Sequence, residues 1–498
     1  MALGRAHSVA VAGLDGQLVE IEADIGRGLP GVHLVGLPDA ALHESRDRVR
    51  AAVVNSGEDW PDSRVILAMS PATLPKVGSV YDLALAMAVL HAAGAVPGDR
   101  LEKTVLLGEL ALDGRVRAVR GVLPAVVAAR NAGWPTVLVP ASALGEAGLV
   151  DGIEVRGAHT LREVVAWLNG HGTLAEPGAR AVAADGGCGD LSDVVGQAEA
   201  RHALEVAAAG GHHMMLTGPP GIGKTMLAQR LPGLLPPLTE AESLEVTSIH
   251  SIAGALAPGN PLVTVAPFVA PHHSSSVMAM VGGGSRVVKP GAASRAHRGV
   301  LFLDEYAEFG QKVLESLRTP LEEGEVRIAR AEGFARYPAR FQLLLAANPC
   351  PCAPARDVEC VCAPSARRRY LAKLSGPLID RVDLRVAMQA ERCGLLVEDS
   401  TEDTATVRER VIAAREAATA RWQRFGLRTN AEVPGSVLRK QFPLSRTAMT
   451  VLERAMGAGR LSARGADRAL RVAWTLGDLR GASAPDASDV VAALDFRA

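Results

Sequence analysis

The chain has 498 residues, 48% of them hydrophobic, and a formal net charge of −1. This length exceeds one ordinary core and this composition excludes a disordered chain, so several well-buried domains are expected. The near-neutral charge excludes a uniformly basic nucleic-acid binder, and 3% aromatic residues argue against a surface that binds single strands mainly by stacking.

Residues 1–10 lack an apolar core flanked by basic residues, so no secretory leader is expected there. The most apolar stretch, residues 83–96, contains His91 and is too short to span a bilayer. Six cysteines in so long a chain do not make a disulfide scaffold. A soluble, cytoplasmic protein with no membrane partner is the expectation.

Residues 1–171 alternate short apolar runs with turns and helical patterns. VILAMS (65–70) and TVLVP (136–140) read as buried strands, and residues 81–93 and 121–133 as helices, giving an α+β or α/β domain. Residues 172–190 are rich in Gly and Ala without periodicity and read as a linker. From residue 191 to about 392 the pattern is strand, loop, helix, as in a parallel sheet. Residues 393–498 are mostly helical, with 407–425 and 467–480 the clearest amphipathic segments.

An apolar run, HHMMLT, leads into GPPGIGKT and then a helical pattern, which is the context a phosphate-binding loop needs. Gly218, Pro219, Pro220, Gly221, Ile222 and Gly223 would bring backbone N–H groups to the phosphates of ATP, with Met226 just inside the helix. Lys224 would reach the β- and γ-phosphates and Thr225 would hold Mg²⁺. GVLFLDE (299–305) supplies an apolar strand ending in acid: Asp304 for the Mg²⁺ shell and Glu305 to polarise the attacking water. FQLLLAANP (341–349) is a third buried strand, ending in Asn348, a polar residue able to position that water. Arg381, in SGPLIDRVDL, stands where it could reach a neighbour's γ-phosphate; a surface ion pair with Asp380 or Asp383 is the competing reading.

Cys350, Cys352, Cys360 and Cys362 fall within thirteen residues of a Pro-rich loop. Two close pairs across a short loop can wrap tetrahedral Zn²⁺, and a structural zinc is expected. His272 and His273, in APHHSSS, receive no role, and Cys188 and Cys393 have no partner in sequence.

Taken together and in order, VGQAEARHALEVAAAGGHHMMLTGPPGIGKT, APHHSSSVMAMVGGGS, GVLFLDEYAEF, AANPCPC and SGPLIDRVDL resemble the magnesium-chelatase-like AAA+ ATPases, and more narrowly the YifB/ComM subfamily. The resemblance implies a homo-hexameric ring with ATP between subunits, an AAA+ α/β core and a helical lid. It implies that Asn348 is the sensor-1 residue, Arg381 the finger acting in trans, and Arg464 the sensor-2 residue that also contacts nucleotide, with Arg468 the nearby alternative. Tyr306-Ala307 stands where Leu-Pro is usual and Val269 where Arg is usual.

Residues 1–171 resemble the Lon-type protease fold, but the nucleophile column falls on Val80, beside Ser79, and the lysine column on Leu123. Leucine cannot act as a base, and Lys76 lies in a loop before the serine. A catalytically dead module is expected. Residues 281–291 carry Arg286 and Lys289, and residues 325–340 read as a hairpin turning at Glu332-Gly333, with Arg327 and Arg330 near its tip. Both loops could face a ring's pore, and in related ring helicases the hairpin carries a basic residue that tracks the DNA backbone, matched here by Arg330. These four residues are candidate contacts to branched or single-stranded DNA, with solvated surface charges the competing reading. The subfamily resemblance implies branch migration of recombination intermediates during transformation, alongside recombination proteins. A chelatase-type chaperone remodelling a protein partner is the alternative, and an ATP-dependent protease a third.

Overall fold

The computed structural model describes the chain except residues 1, 37–39, 75, 179–188, 257–261, 285–287, 331–332, 355–359, 375–377, 390–400 and 498. Cys188, Cys393 and Arg286 therefore lie outside the described residues.

The first region is built on a seven-stranded sheet, in the order Gly31–Val35, Arg64–Ser70, Asp15–Gly26, Ala2–Ala12, Thr104–Leu106, Thr136–Pro140, Glu154–Ala158. Helices cover both faces at the strands Thr104–Leu106 and Thr136–Pro140, which read as unbroken apolar runs, whereas Asp15–Gly26 alternates polar and apolar residues. Leu106 and Leu138 point to the face that carries the helix Asp82–Ala92, whose Leu83, Leu85, Met87 and Val89 are all buried. Val105, Val137 and Val139 point to the opposite face and the helix Val122–Asn131. Under the first face, buried Asp82 receives Arg48 at 2.7 Å and the Leu110 N–H at 3.2 Å. The segment read as a linker begins docked: Leu174 is buried and Ala175 bridges the edge strand at Gly157.

The central region holds a five-stranded sheet, Phe268–Val269, Val300–Leu303, Gln342–Ala347, Met214–Thr217, Leu384–Ala387, all parallel. The last region is helical, as the periodicity predicts, with helices Thr404–Trp422 and Ala463–Leu479 the longest. These helices share one continuous core with the sheet. Trp422, Ala469 and Val472 pack in the same cluster as Leu216, Leu344 and the helix Ala198–Gly210. Trp422 is fully buried, its Nε1 donating to Asn430 Oδ1 at 2.7 Å and its ring edge-on to Phe442 at 4.6 Å.

Between the first two regions lies an interface that sequence does not announce. The hairpin Glu325–Arg330/Gly333–Pro338 pairs Arg330 with Gly333, so Gly333 belongs to the second strand and not to the expected Glu332-Gly333 turn; Glu332 lies outside the described residues. Ala335 and Tyr337 of this hairpin are buried with Ile252 against Val11 and Leu14 of the first sheet. Gly13, at φ +66°, sits so close that a Cβ there would meet the Arg336 carbonyl oxygen at 2.4 Å.

Candidate nucleotide site

The parallel register aligns the carboxyl ends of three strands. Thr217 pairs with Ala347, and Leu303 with Leu345, so Gly218, Asn348 and Asp304 emerge side by side, with the Asn348 strand in the middle. Crevices at such strand ends are where ligands of open α/β sheets bind. Gly221 and Gly223 take φ +76° and +94°, a left-handed backbone that side chains resist, and Gly218 lies 2.7 Å from the Met388 carbonyl by its absent Cβ.

Lys224 is nearly buried, and its Nζ donates to the carbonyls of Gly218 and Pro219 at 2.7 Å each and to Asn348 Oδ1 at 3.1 Å. Burial lowers its pKa, and Asp304 and Glu305 work against that shift. Thr225 Oγ1 donates to Asp304 Oδ2 at 2.7 Å. A hydroxyl and a carboxylate held this close are the hard oxygen ligands Mg²⁺ prefers. Glu305 takes φ +49°, a strained setting for a non-glycine residue, and its N–H donates to Asp304 Oδ1 at 2.9 Å. The five residues Lys224, Thr225, Asp304, Glu305 and Asn348 thus form one group. Pro219, Pro220 and Ile222 complete the loop, and Met226 is exposed beside it.

Sequence reasoning left His273 without a role. Its Nδ1 lies 3.7 Å from Glu305 Oε2. The signal was available, since APHHSSS follows the strand next to the Asp304 strand, but strand order is not written in sequence.

Arg381 ends a short turn, Ile379–Arg381, and forms an ion pair with Glu322. It lines a cavity of about 380 Å³ with Arg464, Arg318, Arg468 and Arg471, and no residue of the phosphate loop borders that cavity. Burial and the neighbouring Arg318, Arg468 and Arg464 charges lower the Arg381 pKa. Burial alone would raise the nearby Asp383 carboxyl, but the His212 hydrogen bond and the surrounding positive charge bring it down to about 2. His212 links Asp383 at 3.2 Å to Thr475 of the helix Ala463–Leu479 at 2.8 Å. Asp383, which lines the same cavity as Arg381, thus joins the foot of the phosphate-loop strand to the helical region.

Of the candidate DNA contacts, Arg327 is exposed and ion-paired with Glu325 and with Glu323 at 3.2 Å. Lys289 is exposed on a short strand pairing Gly283, and Arg330 closes its strand at the hairpin tip.

The four cysteine sulfurs lie within 4.8 Å of one another, with Cys350 and Cys360 at 3.5 Å. A tetrahedron with Zn–S near 2.3 Å has edges of roughly 3.8 Å, so this donor set fits zinc. Burial pushes the Cys350 thiol up to about 12, while a hydrogen bond from Cys350 brings Cys352 down to about 6. In the first region, Leu123 is fully buried and Val80 half-buried. The Ser79 hydroxyl donates to Glu109, and Lys76 Nζ donates to the carbonyls of Met69, at 3.2 Å, and Pro71.

Three family profiles match: magnesium chelatase, subunit ChlI, over residues 190–395; subunit ChlI of Mg-chelatase over 21–143; and its C-terminal part over 401–497. An uncharacterized protein of Mycobacterium tuberculosis is 65% identical over 497 residues, covering 100% of this chain and 99% of its own. YifB of Escherichia coli is 39% identical over 493 residues, covering 99% and 95%. The competence protein ComM of Haemophilus influenzae is 39% identical over 511 residues, covering 100% and 98%. Lon protease of Mycolicibacterium smegmatis is 29% identical over 176 residues, 33% of this chain. Among the described residues no helix is long and apolar enough to cross a membrane. With its strand order, its phosphate loop and two full-length relatives at 39% identity, the chain belongs to the YifB/ComM family of magnesium-chelatase-like AAA+ ATPases.

Proposed function

We propose that this chain is an ATP-driven motor that assembles as a hexamer and moves along DNA, working on branched recombination intermediates. The reading is carried by the separation of two half-sites. Lys224, Thr225, Asp304, Glu305 and Asn348 gather at the strand ends, while Arg381 and Arg464 line a different, arginine-rich cavity. Five arginines against three carboxylates in one cavity call for an anion from outside, and a neighbouring subunit's γ-phosphate has that chemistry.

In this reading Lys224 leaves the carbonyls of Gly218 and Pro219 to bind phosphate. Thr225 and Asp304 would hold Mg²⁺, which would supply charge neutralisation at the phosphoryl group. Glu305 and Asn348 orient the attacking water, and Arg381 stabilises the transition state from the adjacent subunit. Asp383, two residues past Arg381, ties the arginine-bearing turn to the helical region through His212 and Thr475. Cys350, Cys352, Cys360 and Cys362 would hold zinc, which would brace the chain between Asn348 and Arg381. The first region, with Leu123 in place of a base, hydrolyses no peptide bond. The name of the Haemophilus relative, a competence protein, suggests uptake of transforming DNA in the cytoplasm as the setting.

The test is strand displacement of a labelled three- or four-stranded DNA junction with ATP. Displacement that requires Lys224 and weakens in Arg330→Ala supports the motor. Hydrolysis that DNA neither couples to nor stimulates overturns it, and directs the search to a protein client of the chelatase type.

A further inference from the structure

The hairpin Glu325–Arg330/Gly333–Pro338 has two unlike faces. Val326, Ala335 and Tyr337 are buried on one, and Tyr337 Oη donates to the Val288 carbonyl at 2.8 Å. Alternation sends Arg327, Ala329, Phe334 and Arg336 to the other, where all four are exposed. The register sets Arg327 directly opposite Arg336, and Ala329 opposite Phe334.

This outward face is unusual on two counts. Phe334 is 69% exposed, whereas every other Phe, Trp and Tyr in the chain is buried or half-buried. Two like charges directly across a strand pair repel. Arg327 is compensated by Glu323 and Glu325, but Arg336 has no carboxylate partner among the described residues. An anchored hairpin therefore holds an uncovered ring one step from an uncompensated guanidinium.

We propose that this face grips a single nucleic-acid strand, with Phe334 stacked on an unpaired base and Arg336, beside Arg327, holding the flanking phosphates. The proposal rests on the DNA reading above and refines it: the hairpin engages one strand with its bases unpaired, not the backbone of an intact duplex. An aromatic ring stacks on any base, so the contact is independent of sequence, but the base face must be free, which a duplex denies. The low aromatic content is no obstacle, because one ring per subunit suffices when the motor moves in single steps. A protein partner would also accept an aromatic beside an arginine. The repelling arginine pair favours a polyanion.

The experiment measures binding of the full-length protein to a single-stranded oligonucleotide and to a blunt duplex of equal length, across a salt series. Phe334→Ala is expected to weaken single-strand binding roughly tenfold or more, to leave duplex binding near its starting value, and to be rescued by Phe334→Tyr. Arg336→Ala is expected to weaken binding and reduce the salt slope by about 1. Phe334→Ala binding the single strand like the parent, or losing single strand and duplex alike, overturns the proposal. If the parent binds DNA but Phe334 is silent, only this inference falls. If the parent binds neither DNA, the motor reading itself falls, and the face becomes a protein-docking surface.

Discussion

Lys224 spends its three donors within the protein, two on the carbonyls of its own loop and one on Asn348. A phosphate must displace bonds already made, so Lys224→Ala removes the competitor as well as the ligand. We expect nucleotide affinity to fall by at least tenfold, read by fluorescent-nucleotide titration, and hydrolysis to disappear. Glu305→Gln should behave differently. It keeps size and hydrogen bonding but cannot polarise water, so ATP binds while turnover drops by about a hundredfold or more, the usual scale for removing a general base. Equal loss of binding in both variants would remove Glu305 from the chemistry. His213 carries the pH dependence at this scale. Its Nδ1 accepts from the Leu343 N–H at 3.0 Å, which requires an unprotonated ring, and burial lowers its pKa to about 4. The folded state then binds fewer protons than the unfolded state between pH 4 and 6.5, so stability is complete above the unfolded value and declines as pH falls through that window. The loss from pH 7 to 5 is at most about 2 kcal/mol, an upper bound because the ring borders an open cavity. Unfolding midpoints at the two pH values should differ less in His213→Asn than in the parent, and equal differences would remove His213 as the cause.

Among elements, the hairpin is set by what lies behind it. Its inner face closes on Val11 and Leu14, the turn of the first sheet's longest strand pair, and Gly13 fits there only because it lacks a Cβ. Gly13→Ala adds an atom 2.4 Å from the Arg336 carbonyl and strains a backbone at φ +66°. We expect a loss of roughly 2 kcal/mol or more, seen as a lower unfolding midpoint. Gly94→Ala is the control: φ is +78°, but nothing lies within 4 Å, so it carries the backbone penalty alone. Equal midpoints for the two variants would show that the inter-region contact contributes nothing. The cysteine loop makes a second prediction. The purified protein should hold about one zinc per chain by metal analysis, and a strong chelator should lower the midpoint, because binding free energy of a structural site is folding free energy. A metal-free preparation with the same midpoint would leave the four thiols without a ligand.

At the scale of the whole molecule the two half-sites predict complementation. Lys224→Ala and Arg381→Ala chains should each be nearly inactive as ATPases. Mixed, they should regain activity, because an Arg381→Ala subunit keeps its phosphate loop and a Lys224→Ala neighbour supplies the arginine. Mixing without recovery would place the finger in its own subunit's site. The five arginines of the cavity lie up to 153 positions apart, from Arg318 to Arg471, and no local pattern couples them. His273 came to Glu305 by strand adjacency, and Glu322 to Arg381 by folding of a separate helix, Arg318–Glu323. What sequence determined by itself was local chemistry: the phosphate loop, the acid-ended strand, the cysteine spacing and the helical periodicity each depend on residues a few places apart, within reach of one element's geometry. The tertiary structure alone decided which of these elements stand side by side, that the helical region shares the sheet's core, and that the first region supports the hairpin. Those outcomes depend on burying faces against one another, and a face has no partner until the whole chain has folded.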